Sequence, residues 1–282
     1  MLHTTKEYFM ATAKAAKKPG TELANWSEQL AKDAAVAAKL EESTSTSSFF
    51  STKSGVLSFD GAPVPGNTMA VIVLDHVLET LYYEGKYDQD NPQGPVAFAL
   101  GRDEKTMVWH ENSREDYAGK LCSESDVCDW GSAETGRGKA AREVRRLMMI
   151  PAGTFENGRF KPFTKNDQIM DSAIAGLKIP VMSVKGFAGF VKQAAAALKR
   201  PPYGLFTKVS VVPDVQSQFK VIFEVLSEVP DDLMGSVLAR KGECQDALTA
   251  PFAPWTEPEA PSAPKGRGAK APAKAPAKKS KY

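Results

Sequence analysis

Chemistry concentrates in one stretch of this 282-residue chain, Cys122 to Pro151 (CSESDVCDWGSAETGRGKAAREVRRLMMIP). Cys122 and Cys128 come first, then Trp130, then Gly131, Gly136 and Gly138 around Arg137 and Lys139, then Arg142, Arg145 and Arg146. Thiolates can hold zinc, but a structural site needs a full tetrahedral set of Cys or His, and knuckles separate a pair by roughly two to four residues. Cys122 and Cys128 supply only part of such a set, at a wider spacing. His110 and Cys244 would have to be brought in by the fold. Ordinary reduced thiols are the simpler reading, so Cys122 and Cys128 stand only as metal candidates and no cofactor is expected. The glycines give a flexible lead-in whose backbone N–H groups could hold a phosphate. Between Arg137 and Arg146 only Glu143 opposes the cations, so the segment could equally meet a polyanion or form a solvated face.

A second basic island comprises Lys185, Lys192, Lys199, Arg200 and Lys208, with no acid between 172 and 213. It is interleaved with Phe187, Phe190, Tyr203 and Phe206. Cations that follow phosphates beside rings that stack on bases are what nonspecific single-strand binding needs, at about 1–3 kcal/mol per stacked base. Phe187 and Phe190 read better as core residues of a helix. Tyr203, after Pro201-Pro202, is the better exposed ring. A third basic region is the C-terminal tail, with Lys265, Arg267 and Lys270. Residues 261–282 hold seven Lys and Arg and no acid, so a chain of formal charge +2 carries about −5 before them. Mobile cations raise affinity for nucleic acid by releasing counterions; a solubilising tail would look similar.

Enzyme signatures are poor. The GxxxxGK[ST] pattern is not met, and neither HExxH nor GxSxG occurs. His76, ahead of Glu79, could be a ligand or base, but a satisfied, partly buried histidine is the plainer reading. Asp88, Asp90, Asp231 and Asp232 lie in or beside turns, with no spacing that favours a two-metal nuclease.

The elements that must position these residues are read from periodicity and turn chemistry. Residues 5–42 favour helix, with Leu23, Trp26, Leu30, Ala34, Ala37 and Leu40 on one weakly apolar face. Strand character begins at Phe49, and Met69–Leu74 is the clearest buried strand, continuing toward Leu81. Val96–Leu100 is another. Ala140–Ile150 is expected to be helical, with Arg142, Arg145, Arg146 and Met149 sharing a side. Asn157-Gly158 predicts a hairpin turn. Residues 167–175 read as a short helix, 177–184 as an edge or bulged strand because of Pro180, and 187–198 as a helix. Residues 206–212 and 219–226 read as a hairpin, and 231–244 as the last helix of the body. The class is therefore mainly β or α+β, with strands joined by turns rather than alternating with long helices. Three regions follow: an N-terminal helical extension (1–48), a folded body (49–248) carrying the basic insert 119–151, and a Pro/Ala/Lys-rich tail (249–282) expected to be disordered. No apolar run reaches the roughly 18 residues of a membrane span, no secretory signal is visible, and three cysteines do not make a disulfide framework.

The order of a VAFAL strand at 96–100, Cys122-x5-Cys128, Trp130-Gly131-Ser132, Gly136-Arg137-Gly138-Lys139-Ala140, Arg142–Leu147 and then KRPPYGLFTKVS at 199–210 resembles a group of tailed-phage single-stranded DNA-binding proteins. The similarity spans roughly residues 50–245. It implies an OB-like antiparallel barrel with peripheral helices, and noncatalytic, largely sequence-nonspecific binding and protection of single-stranded DNA. The setting it implies is phage replication or recombination in the cytoplasm of the infected host cell, beside phage replication or recombination proteins, with a homo-oligomer among the arrangements allowed. Relatives carry further cysteines near the strand held here by Ala97–Ala99 and at the position of Ala141, so their four-cysteine knuckle cannot form in this chain. The basic tail also departs from the acidic segment common in single-strand binders, and no partner-recruiting role is carried over. Two other readings compete: a virion or scaffold protein contacting packaged DNA through its tail, and a metal-dependent nuclease.

Overall fold

The computed structural model describes residues 30, 32, 49–85 and 93–257. The chain divides into two units, Met1–Phe49 and Phe50–Tyr282. In the first, Leu30 and Lys32 are helical and exposed. The rest of the N-terminal extension, the turn around Asp88 and Asp90, and the tail with Lys265, Arg267 and Lys270 lie outside the described residues.

The second unit is built on one sheet. Its strands are β1 (Phe49–Ser51), β2 (Ser58–Phe59), β3 (Ala62–Pro63), β4 (Thr68–Tyr82), β5 (Ala97–Gly101), β6 (Arg142–Pro151), β9 (Ala175–Ile179), β10 (Leu205–Asp214) and β11 (Gln218–Glu228). They run in the order β11-β10-β4-β6-β9-β1-β2-β3, with β5 also pairing β4. The sheet is mostly antiparallel and curls through 219° into a half-barrel that does not close. A separate hairpin, β7 (Gly153–Glu156) and β8 (Arg159–Pro162), turns at Asn157-Gly158 as predicted, both residues at positive φ. Gly153 has no substitute there, because a Cβ would stand 2.1 Å from the Lys161 carbonyl oxygen.

β4 organises the sheet, and its β-branched run fits a strand covered on both faces. A bulge between Val73 and Asp75 shifts the alternation by one residue. Val71 and Val73 therefore join the cluster around Phe187, and beyond the bulge it is His76 whose ring meets Phe187 edge-on at 5.1 Å. Helix α1 is Asn166–Met170, α2 is Val181–Leu198, α3 is Met234–Glu243 and α4 is Gln245–Thr249. α2 buries Ser183, Phe187, Phe190 and Ala194. Phe187 lies 5.0 Å from Phe223, and the Ser183 hydroxyl accepts the Val221 amide at 2.9 Å. Phe187 and Phe190 are thus core residues, as their spacing implied.

Besides the last helix of the body, which is α4 at Gln245–Thr249 and not the expected 231–244, two expectations fail. Residues 142–151 form not a helix but the central strand β6, paired with β4 on one side and β9 on the other. Leu147 to Ile150 are all fully buried, which a strand between two covered faces allows and a one-striped surface helix does not. The second miss lies at Pro180. β9 ends at Ile179 and α2 starts at Val181, so Pro180 caps a helix instead of interrupting a strand. Its fixed φ suits a helix entrance, and its missing amide costs nothing there.

Candidate nucleic-acid interface

Starting α2 at Val181 instead of Phe187 changes what its outer face carries. Lys185, Lys192 and Lys199 are spaced seven apart, and all three are exposed. Seven residues are nearly two turns, so the lysines form a row with steps of about 10.5 Å. Gly186, Gly189, Ala195, Ala196 and Ala197 lie exposed around them, and the helix contains no acid. No carboxylate pairs with Lys185, Lys192 or Lys199 among the described residues. Lys199 ends the helix in the left-handed region (φ 54).

The glycine-rich loop ahead of β6 presents a second cluster. Trp130 is 80% exposed. The loop beneath it closes through Gly131 N–H donating to Gly138 O (2.9 Å) and Ala140 N–H donating to the Ser132 hydroxyl (2.9 Å). The Lys139 ammonium lies 5.9 Å from the indole centroid and pairs with Glu143 at 2.5 Å. Arg137 is exposed, as is Arg142, whose guanidinium lies 6.0 Å from the Tyr83 ring. Glu124, Asp126, Asp129 and Glu134 share this loop, so its field is mixed.

The expected arginine triad comes apart. On a strand, Arg142 and Arg146 point one way and Arg145 the other. Arg146 is 3% exposed. It donates to the fully buried Glu79 carboxylate at 2.5 Å and to Ala250 O at 2.6 Å, so it is part of the core and not of a groove. Lys178 reaches the same Glu79 oxygen at 3.2 Å. Arg145 is half-buried, donating to Val144 O at 3.0 Å, and burial lowers its pKa.

The second island is divided as well. Arg200 is held by Glu228 (2.8 Å) and Asp231 (3.2 Å). Lys208 pairs with Glu224 (2.7 Å) and lines a cleft of about 910 Å³ walled by Phe50, Phe59, Phe155 and Phe160. Tyr203 is only partly exposed, with the Lys241 ammonium 5.5 Å from its ring centroid.

Cys122 and Cys128 sit in a small apolar cluster with Ala97, Ala99, Met107, Trp109 and Ala141. Burial pushes the Cys122 thiol up to about 12, with Cys128 adding to it, and pushes Cys128 up to about 11. Such thiols stay protonated and unreactive at neutral pH. Among the described residues no group of three or more His, Cys, Asp or Glu is gathered for a metal.

Sequence reasoning missed the buried acids of β4. Besides Glu79, Asp75 is buried and receives Arg102 Nη2 at 2.8 Å, Gln245 Nε2 at 3.2 Å and Lys241 at 3.3 Å. Burial alone would raise its pKa, but hydrogen bonds from Arg102 foremost, then from the His76 amide and Gln245, hold the carboxyl well below the usual carboxylate range. An acid inside an otherwise apolar strand is the one sequence signal that a buried cation must be near. Comparison with models of protein families, with curated proteins and with solved structures finds no match to this chain.

Proposed function

We propose that the protein is a noncatalytic binder of single-stranded DNA, largely indifferent to sequence, acting in phage replication or recombination within the infected cell. The half-barrel is read as an OB-like core whose binding surface is carried by α2 and by the Trp130 loop. The observation that carries this reading is the acid-free lysine row Lys185–Lys192–Lys199. It supplies unpaired positive charge at regular steps, the arrangement that follows a phosphate backbone. Trp130 supplies an exposed ring for stacking, with Lys139 beside it, and Arg137 and Arg142 are exposed cations of the same segment. Arg146, buried and paired with Glu79, adds no free charge to this surface.

The test is the triple variant Lys185→Ala/Lys192→Ala/Lys199→Ala. Three lost phosphate contacts should flatten the plot of log affinity against log salt by about 2 for a single strand, at roughly 0.7 per contact. All three side chains are exposed, so thermal stability should not move. An unchanged slope with an intact fold removes α2 from the interface.

A further inference from the structure

Residues 250–257 leave α4 and run back across the body, touching it at few points. Asn112 Nδ2 donates to Phe252 O at 2.9 Å, and the Trp255 amide donates to Asn112 O at 2.8 Å. Arg146 Nη1 donates to Ala250 O, and Trp255 lies 5.6 Å from the Arg114 guanidinium. Ala250, Pro251, Ala253, Pro254 and Thr256 are exposed. The segment thus places the Phe252 ring against Phe98 and lays the Trp255 ring by Arg114.

The slot that receives this ring has an unusual composition. Phe252 meets Phe98 edge-on at 4.9 Å, with Leu81 and Val144 beneath. Two cations face it, the Lys178 ammonium at 4.3 Å and the Arg146 guanidinium at 5.6 Å from the ring centroid. Behind them the Glu79 carboxylate is fully buried, and its Oε2 has no hydrogen-bond partner among the described residues. An aromatic wall and two cations facing one flat ring match a nucleobase. Arg142 and Tyr83 lie farther along the same face, Arg142 being paired with Leu81 across β4 and β6.

We infer that the Phe252 slot is a base-binding subsite, that Ala250–Trp255 is its displaceable cover, and that single-stranded DNA competes with Phe252 for it. This rests on the single-strand binding proposed above. When the cover lifts, the base takes the place of the phenyl ring against Phe98.

The full-length chain carries the test, with oligothymidylate as the probe. In the wild-type protein, hydrogen exchange at the Trp255 amide should speed up when oligothymidylate saturates it; unchanged or slower exchange overturns the inference. Phe252→Ala should bind the same oligonucleotide about tenfold more tightly, the gain expected if a state open roughly one part in ten becomes the only state. Equal or weaker binding by a folded Phe252→Ala overturns it too, and if that variant does not fold, the exchange experiment decides alone. The α2 triple variant separates the two ideas: loss of its salt slope effect strikes the lysine face without touching the cover. A wild-type chain that does not bind, with Phe252→Ala that does, supports the cover, and failure of both removes slot and single-strand binding together.

Discussion

Replacing Arg146 with Ala should damage the fold and not merely a binding surface. The side chain is 3% exposed and its carboxylate partner, Glu79, is fully buried. Arg146→Ala removes the 2.5 Å contact to Glu79 and the hydrogen bonds to Ala250 O (2.6 Å) and Leu248 O (3.3 Å). It leaves Glu79 with Lys178, whose ammonium is 3.2 Å away and partly in solvent. Breaking one side of a buried pair costs about 3–5 kcal/mol, because the remaining charge stays desolvated. For a body of this size that corresponds to a fall of about 6–20 °C in Tm. Arg142→Ala, an exposed change in the same strand, is the control and should stay within about 0.5 kcal/mol. Urea unfolding followed by circular dichroism reads both. The double replacement Arg146→Met with Glu79→Leu should recover much of the loss, since no buried charge is then orphaned. An Arg146→Ala variant within about 1 kcal/mol of the parent, or a double variant no better than the single, would refute this account of the strand.

Three further outcomes are expected. Stability should fall as pH drops below the ordinary aspartate value: Asp75 has its folded pKa depressed, so its contribution is present above that value and lost as it protonates, and Asp75→Asn should flatten the urea midpoint between pH 5 and pH 3. At pH 8, Cys122 and Cys128 should react slowly with a disulfide reagent in the native protein and quickly in denaturant, since burial holds both thiols protonated; fast native labelling would contradict the packed cluster. Phe187→Ala should cost about 3–5 kcal/mol by emptying the contacts to His76, Phe190 and Phe223, as calorimetry or urea unfolding would show.

The parts of the fold set by local rules were legible in the sequence. Periodicity located β4, β5 and the β10–β11 hairpin, and Asn157-Gly158 located the turn between β7 and β8, because each signal is complete within a few residues. β6 was not legible, since Arg142, Arg145 and Arg146 happen to sit at helical spacing while the strand is fixed by β4 and β9, distant in sequence. The same distance hid the role of Arg146, whose partner Glu79 lies 67 positions earlier. The lysine row was visible as composition, but its common face emerges only when α2 begins at Val181. Arg200 and Lys208 looked equivalent to those lysines, yet the carboxylates that neutralise them come from β11 and the turn after it.

The central claim, that this body and its lysine face serve single-stranded DNA, meets its most direct test in one titration. Full-length protein is titrated with oligothymidylate and with a duplex of equal length, each at about 50 and about 200 mM salt. Tighter binding to the single strand, weakening steeply with salt in both cases, is the predicted result. Equal or tighter binding to duplex, or no binding to either at low salt, would contradict it.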